Sequence, residues 1–290
     1  MLEGWKRRAA VWRRRRAERR FQPGTVIRDP YKIVRMLGEG SFGVAYLCDR
    51  TDRNGSHQCV LKRVQPMRNG RKRAERIYHF EIDMISRFDH PSIPKLYEHF
   101  RYGGHYCFTM EYARGASLEK LLFEDGTVFT ELQSLELLRK LVKVIQYVHS
   151  KHIVHRDIRI ANVMLDGETV KLIDFGLARS FTPGVPFDAQ PSDPDDVEKN
   201  DPEEKRIRRR IHPASDFYGA GHLLLFLLYS GFPEQDREIA EEQSWEQELR
   251  HLRPQTKRLL RRMLLAEQPY NSAHELLQEI TDAITAFPAD

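Results

Sequence analysis

Three polar side chains between Ile153 and Gly176 have types and a spacing that suit metal-assisted chemistry. Asp157 is followed five positions later by Asn162, and Asp174 stands directly before a Phe-Gly pair. Carboxylate and carboxamide oxygens are ligands that a hard cation such as Mg²⁺ prefers. A further carboxylate beside that cation is then available to orient or deprotonate a nucleophile.

Two short β-prone runs predict how these side chains are positioned. The runs lie on either side of Asp166-Gly167, a pair that is typical of tight turns. We therefore expect a hairpin that brings Asn162 and Asp174 together at one end, with Asp157 on the loop before it. The plain alternative is an ordinary turn and an ordinary loop aspartate, and the fixed spacing of the set disfavours it.

The charge of the chain is concentrated at its start. The protein has 290 residues, is 40% apolar and carries a formal net charge of +5, and this length suits one large core or two lobes. Residues 1–20 contain nine Lys or Arg against two Glu, so the tail holds +7 and the remaining 270 residues hold −2. The globular part therefore gives no indication of specific nucleic-acid binding.

The basic tail has a helical pattern of apolar residues. Leu2, Trp5, Ala9 and Trp12 recur at steps of three and four, which places them on one face of a helix with arginines around the rest. Such a helix could lie on an anionic membrane surface, bind an acidic partner, or pack against the globular part. The remaining alternative is a solvated tail, so we predict that residues 1–22 are a basic amphipathic or disordered segment.

The cysteines and the apolar runs indicate a cytoplasmic protein. Cys48, Cys59 and Cys107 show neither a C-x-x-C spacing nor a neighbouring His cluster, which is typical of reduced thiols. The longest apolar run, 223–229, is far shorter than the roughly 20 residues of a membrane span. No apolar leader follows the basic start. Peripheral membrane contact through the tail is the one addition that we keep open.

A glycine-rich stretch, Gly38-Glu39-Gly40-Ser41-Phe42-Gly43-Val44, lies between two β-prone runs. A lone G-x-G-x-x-G is weak evidence of function. In dinucleotide-binding proteins this motif must lie at the start of a helix in a βαβ unit. Here the following run, 44–48, is short and β-prone and is soon followed by a turn cluster at Asp52. We therefore predict a hairpin whose backbone N–H groups approach phosphate oxygens, with Phe42 able to cover them.

Lys62 lies in an apolar strand-like run, 58–64, and Glu81 lies in a helical pattern, Ile77 to Phe88, that follows a basic loop at 68–76. An exposed lysine at a strand edge is the plain alternative. If the helix packs on the sheet, Lys62 and Glu81 are natural ionic partners. Strands are also expected at 97–102 and 106–110, and helices at 117–122, 132–150, 222–230, 249–265 and 273–285.

The full set of motifs resembles the eukaryotic-type protein kinases, over about residues 31–286, and looks most like their bacterial Ser/Thr members. The set consists of the glycine loop, Lys62, Glu81, His155-Arg156-Asp157 with Asn162, Asp174-Phe-Gly, and Asp216 with Gly221. The resemblance implies an α+β, bilobal fold within a domain at 23–286. Its small antiparallel-sheet N-lobe with one helix would span 31–110, the hinge 111–115, and the larger, mainly helical C-lobe 116–286.

The resemblance also implies a reaction and its cofactors, namely transfer of the γ-phosphoryl group of ATP, with Mg²⁺ or Mn²⁺, to Ser/Thr hydroxyls of protein substrates, including the kinase itself. Asp157 would take or orient the hydroxyl proton, and Arg159 would place a positive charge near the γ-phosphate. Asn162 and Asp174 would hold the metal. The expected nucleotide-binding residues are Gly38, Glu39, Gly40, Ser41, Phe42, Gly43, Val44, Lys62, Glu81, Met110 as gatekeeper, and Glu111 and Tyr112 at the hinge.

Two departures from the family pattern lie near this predicted site. Arg159 stands where the family usually has lysine, and an arginine fork has a different geometry from an ammonium. The Ala-Pro-Glu that ends the activation segment is Asp201-Pro202-Glu203 here, and Tyr270 occupies the place of its usual arginine partner. Two alternatives follow, a pseudokinase that binds without transferring phosphate and a small-molecule kinase of the same fold superfamily.

Overall fold

The computed structural model describes residues 20–40, 43–52, 55–64, 71–186, 201–232, 244–265 and 268–288. The chain divides into two compact units, Met1–Arg87 with Pro94–Tyr112, and Phe88–Ile93 with Ala113–Asp290. The predicted tail helix, except for Arg20, lies outside the described residues, as do Ser41 and Phe42. The predicted domain and hinge boundaries stay predictions.

The first unit is built on a six-stranded antiparallel sheet. Its strands are β1 (Val26–Arg28), β2 (Tyr31–Gly40), β3 (Gly43–Asp52), β4 (Gly55–Val64), β5 (Leu96–Tyr102) and β6 (His105–Glu111), in the order β1-β2-β3-β4-β6-β5. Along the start of β2, Tyr31 and Ile33 are buried while Lys32 and Val34 are exposed, which is the period of two that a half-buried strand requires. The predicted sheet is confirmed, with β1 as an added strand.

One helix, α1 (Arg71–Ser86), accompanies this sheet. It begins six residues before Ile77, so the prediction of a loop through residue 76 is wrong. Arg, Lys, Ala and Glu are strong helix formers, and the run of charge concealed that propensity. Tyr78, Glu81 and Ile85 are buried at steps of three and four, as expected for one packed face.

Phe21 belongs to the core of the first unit, although it lies on the tail side of the predicted boundary. Its ring stacks on Tyr46 at 5.6 Å and meets the edges of Tyr102 and His105 at 5.7 and 5.8 Å. The guanidinium of the buried Arg63 lies 4.7 Å from the Phe21 ring centroid. This aromatic cluster ties the chain before β1 to the sheet.

The second unit is mainly helical. Its helices in the described ranges are α2 (Leu118–Phe123), α3 (Glu131–Ser150), α4 (Glu203–Arg208), α5 (Pro213–Tyr229), α6 (Trp245–Glu248), α7 (Pro254–Met263) and α8 (Ala273–Thr285). Its short strands are β7 (Ala116–Ser117), β8 (Ile153–Val154), β9 (Val163–Asp166), β10 (Thr169–Leu172) and β11 (Arg179–Ser180), which form the sheets β10-β9-β7 and β11-β8.

Helix α3 forms the centre of this unit. Thr130 and Gln133 make a reciprocal capping box at its start, which satisfies backbone N–H groups that the first turn leaves free. The predicted apolar stripe is buried and includes Leu135, Leu138, Leu141, Val142, Ile145 and Val148. Helices α5 and α8 both pack against α3.

Two helices differ from their predicted bounds. Helix α5 begins nine residues before 222, because Pro213 suits the first helical position and the side chain of His212 accepts from the Ala214 N–H. The predicted helix at 249–265 is shorter, because α7 begins only at Pro254, and the separate short helix α6 ends before residue 249. Proline tolerates only the first turn of a helix, so it separates the two.

The described helices include none that is long and apolar enough to span a membrane. Cys48, Cys59 and Cys107 are buried and free. Burial raises the pKa of Cys48 and of Cys107 to about 12 and that of Cys59 to about 11. The three thiols are therefore protonated and poorly nucleophilic at neutral pH.

We predict that Phe21→Ala destabilises the protein by about 3 kcal/mol, because it removes a ring that is only 3% exposed and leaves a cavity. Denaturant unfolding would measure the loss. Phe123→Ala is the matched control, since Phe123 is 66% exposed and its truncation should cost under about 1 kcal/mol. Equal effects of the two substitutions would contradict the structural role of Phe21.

Candidate active site

The buried carboxylate of Asp216 on α5 organises the loop that carries Asp157. Asp216 Oδ2 accepts the backbone N–H of His155 at 2.9 Å, and Oδ1 accepts that of Arg156 at 2.7 Å. His149 Nε2 donates to Oδ2 at 2.8 Å. Burial by itself would raise the pKa of Asp216, but these hydrogen bonds, with that from His149 foremost, lower it below its ordinary value.

His155 links the loop to the hairpin that follows it. Its Nδ1 accepts the backbone N–H of Asp157 at 3.2 Å, so its Nε2 carries the proton and donates to the carbonyl of Ile173 at 3.1 Å. The imidazole also meets the ring of Phe175 edge-on at 4.7 Å. The imidazole of His155 thus holds the residue before Asp174 close to the Asp157 loop.

The predicted hairpin is confirmed. Strands β9 and β10 pair with Val163 opposite Leu172 and Asp166 opposite Thr169. At the open end the backbone N–H of Ile173 donates to the carbonyl of Asn162 at 3.0 Å. This pairing brings the backbones at Asn162 and at Asp174 to the same end of the hairpin.

Asn162 and Asp157 are joined directly. The Asn162 Nδ2 donates to the carboxylate Oδ2 of Asp157 at 2.8 Å and to its backbone carbonyl at 2.9 Å. Because the amide nitrogen of Asn162 donates to Asp157, the amide oxygen Oδ1 of Asn162 is the atom that can bind a metal.

Two arginines lie beside the Asp157 carboxylate. Arg159 Nε is 3.7 Å from Oδ2, and Arg209 Nη2 is 3.7 Å from Oδ1. Arg209 also donates from Nη1 to the carbonyl of Arg156 at 2.9 Å. The Asp157 carboxylate therefore faces one positive charge from its own loop, on Arg159, and one from the segment after α4, on Arg209.

Arg156 is held by backbone carbonyls. Its side chain, which is buried, donates from Nε to Arg209 O at 2.9 Å and from Nη1 to Leu177 O at 3.1 Å. Its backbone lies in the left-handed region at φ 66°, as does that of Asp174 at φ 65°. Non-glycine residues rarely adopt this conformation, and they hold it where surrounding contacts fix them.

The donor set at the hairpin end fits a hard divalent cation. It consists of the Asp174 carboxylate and the Asn162 carboxamide, both oxygen donors. The described part of the chain contains no cluster of three or more His, Cys, Asp or Glu that would bind a metal unaided. A cation here would need further oxygens, which phosphate groups and water supply.

In the first unit, Lys62 and Glu81 form the predicted ion pair. Lys62 Nζ lies 2.5 Å from Glu81 Oε1, and the two side chains are 8% and 2% exposed. The ammonium also lies 5.9 Å from the ring centroid of Phe108. This buried contact holds the ammonium of Lys62 in place beside Glu81.

The glycine stretch forms the predicted hairpin. Gly40 pairs with Gly43 across β2 and β3, and Gly38 and Glu39 pair with Ala45 and Val44. A Cβ on Gly43 would lie 2.3 Å from the carbonyl oxygen of Arg63, so only glycine fits there. The dinucleotide alternative, which needs a helix after the glycines, is excluded because β3 follows them.

The residues at the predicted gatekeeper and hinge positions are the last three residues of the first unit. Met110, opposite Val60 on β4, is partly buried. The N–H of Glu111 donates to the carbonyl of Lys95 at 2.8 Å, and Tyr112 is the last residue of the unit.

Tyr270, which stands where the family usually has an arginine, takes part in a different set of contacts. Tyr270 is buried and donates to Glu279 at 2.9 Å, and the guanidinium of Arg262 lies 3.9 Å from its ring centroid. Arg262 also pairs with Glu279 at 2.6 Å and with Glu275. Glu203 is exposed and makes no ion pair with any residue in the described ranges, so the usual anchor is absent there.

Sequence reasoning did not identify His149 and Arg209 as parts of this site. His149 follows the apolar stripe of α3, and its spacing from His155 gave no motif. Arg209 belongs to the basic run Lys205–Arg210, and nothing in that run indicates which residue it would contact. Both act through contacts across 50 or more residues, which spacing alone does not reveal.

Comparison with known proteins supports one family. The family model described as "Protein kinase domain" matches residues 31–284. The probable serine/threonine-protein kinase YbdM of Bacillus subtilis strain 168 is 31% identical over 267 residues, which cover 92% of this chain and 94% of that protein. The serine/threonine-protein kinase PknA of Nostoc sp. is 26% identical over 274 residues, which cover 89% of this chain and 48% of PknA.

A solved structure shows the same fold. The crystal structure of the Mycobacterium tuberculosis PknI kinase domain aligns with a TM-score of 0.64 at 20% identity, covering 90% of this chain and 99% of that chain.

We predict that Asp216→Asn lowers the free energy of unfolding by about 3 kcal/mol at pH 7, because a buried charge that three donors satisfy is lost. A lowered pKa in the folded state stabilises the fold above the ordinary Asp value of about 3.9 and ceases to do so as the pH falls below it. The difference in the free energy of unfolding between wild type and variant should therefore narrow only below about pH 4. Urea unfolding at several pH values measures this gap.

Asp125→Asn serves as the control, since Asp125 pairs with Lys120 at the surface and its loss should cost under about 1 kcal/mol. A gap for Asp216→Asn that is no larger than that of the control would contradict the role assigned to Asp216.

Proposed function

This chain belongs to the protein kinase family, and we propose that it transfers the γ-phosphoryl group of ATP to serine and threonine hydroxyls of proteins, its own included. The match covers nearly the whole chain, and YbdM is similar over almost its full length. The hydrogen bond between Asp157 and Asn162 carries the proposal most directly. It fixes a candidate base beside a candidate metal ligand.

Each motif residue then takes a role in positioning or in charge stabilisation. Lys62, held by Glu81, binds the α- and β-phosphates. Asp157 orients the substrate hydroxyl and accepts its proton, and Arg159 stabilises charge on the γ-phosphate. The nucleotide contacts of the glycine hairpin, Met110, Glu111 and Tyr112 remain proposals of the same kind.

Asn162 and Asp174 would hold Mg²⁺, with Mn²⁺ as a substitute. When bound, the cation neutralises phosphate charge and orients the γ-phosphoryl group. The chain contributes a carboxylate and a carboxamide whose backbones the hairpin brings to one end.

The two alternative functions are less well supported. A pseudokinase would typically lack one of the motif residues, and Lys62, Glu81, Asp157, Asn162 and Asp174 are all present. A small-molecule kinase usually lacks the Arg of His-Arg-Asp and the full glycine loop. Glu203 makes no anchoring ion pair within the described residues, and this concerns the substrate-binding segment. The hydrogen bonds that hold the Asp157 loop are present.

We predict that Asp157→Asn and Lys62→Met each lower phosphate transfer from γ-labelled ATP to a generic protein substrate by about 10²- to 10⁴-fold. The first variant removes the proton acceptor, and the second removes the cation that positions the phosphates. Identification of the phosphoamino acid in the wild-type product would test Ser/Thr specificity.

Asp166→Asn and Lys151→Met are matched controls, since both side chains are exposed. Circular dichroism would verify that all four variants fold. Undiminished transfer by either site variant would refute its assigned role.

The tail adds a proposal about location. We propose that the protein is cytoplasmic and that its first 20 residues, with a net charge of +7, contact an anionic surface. The full chain should pellet with phosphatidylserine vesicles at low salt, and a chain lacking residues 1–19 should stay in the supernatant. Equal pelleting of the two would exclude the membrane role and leave an acidic partner, packing against the globular part, or a solvated tail.

A further inference from the structure

Five of the six residues from Lys205 to Arg210 are basic, and we name Lys205, Arg206, Arg208, Arg209 and Arg210, together with Arg159, the basic surface. Two of its side chains form ion pairs with acidic residues four positions earlier in the chain. Lys205 pairs with Asp201 at 2.8 Å, and Arg208 pairs with Glu204 at 2.9 Å. Within residues 201–210 the five bases exceed the three acids, although the chain beyond the tail has a net negative charge.

The basic surface is fixed to the loop that carries Asp157. Arg208 Nη1 donates to the carbonyl of Ile158 at 3.2 Å, and Arg209 Nη1 donates to that of Arg156 at 2.9 Å. In return, Arg156 donates to the carbonyl of Arg209 at 2.9 Å through Nε. These bonds join backbone to side chain in both directions, so the charges of Arg208 and Arg209 keep a constant position relative to Asp157.

Three side chains of the basic surface are exposed, namely Arg159, Lys205 and Arg206, while Arg208 and Arg209 are partly buried. Arg159 is 59% exposed and lies with Arg209 at 3.7 Å from the Asp157 carboxylate. Arg206 is exposed and makes no ion pair with the residues that the structure describes. A substrate whose hydroxyl reaches Asp157 must bring its neighbouring residues within reach of these guanidinium groups.

We propose that the basic surface selects protein substrates that carry an anionic side chain, a carboxylate or a phosphate, next to the hydroxyl that is phosphorylated. This inference rests on the proposed kinase function and specifies its substrate class. Guanidinium groups bind carboxylate and phosphate through paired hydrogen bonds, and they repel a basic neighbour. Opposite charge near the acceptor also speeds encounter at low salt.

The test uses the full chain and a series of peptides that share one serine and differ in its neighbours. The neighbours are alanine, aspartate, phosphoserine or lysine, and phosphate transfer from γ-labelled ATP gives kcat/KM for each. We expect aspartate and phosphoserine peptides to exceed the alanine peptide by about tenfold and the lysine peptide to fall below it. The preference should shrink at 1 M salt, where charges are screened within about 3 Å.

Arg206→Glu should reduce the ratio of the aspartate to the alanine peptide by about fivefold, because it reverses one charge of the basic surface. Arg250→Glu, an exposed arginine outside that surface, should leave the ratio unchanged. The ratio is internal to each variant, so a general loss of activity does not imitate the result.

The outcomes separate the two proposals. Transfer to every peptide alike, or a preference for lysine neighbours, would overturn the substrate class while the kinase function stands. An unchanged ratio in Arg206→Glu would also overturn it. No transfer to any peptide or to the protein itself would overturn the proposed function and this inference with it. A phosphoserine peptide that exceeds the aspartate peptide would identify phosphate as the preferred anion.

Discussion

The second unit depends on one buried negative charge. Asp216 is fully buried, and a carboxylate in such a place is costly unless donors surround it. The backbone N–H groups of His155 and Arg156 and the imidazole of His149 supply them. The two backbone bonds, from His155 and Arg156, also set the path of the chain ahead of Asp157. The cost of burying Asp216 is therefore offset by the interactions that position the catalytic loop.

This positioning has to overcome local backbone preferences. Arg156 and Asp174 both lie in the left-handed region, which costs about 1 kcal/mol or more for a non-glycine residue. The neighbours on the Asp216 side are close-packed, since a Cβ on Gly219 would lie 2.7 Å from the carbonyl of Ile158. Helix α5 can approach the loop that closely only with glycine at this place. Tight contact and buried charge together hold a conformation that short segments would not keep by themselves.

The parts of the structure that sequence predicted are those with a local period or spacing. The β9–β10 hairpin follows from two β-prone runs around Asp166-Gly167, and the Lys62–Glu81 pair follows from a strand and a helix that must share a core. The parts that it missed depend on distant contacts. Strand β1 has only three residues, too few for a period, and Arg209 reaches Asp157 only after the chain has folded.

The aromatic cluster around Phe21 has a practical consequence. The family match starts at Tyr31, and a fragment cut there would lack both β1 and Phe21. The ring faces of Tyr46 and Tyr102 would then meet water beside the buried guanidinium of Arg63. Such a shortened protein would carry an apolar patch that the natural chain covers. Self-association or poor solubility of that fragment would then result from the loss of Phe21 and β1, and would not be a property of the full protein.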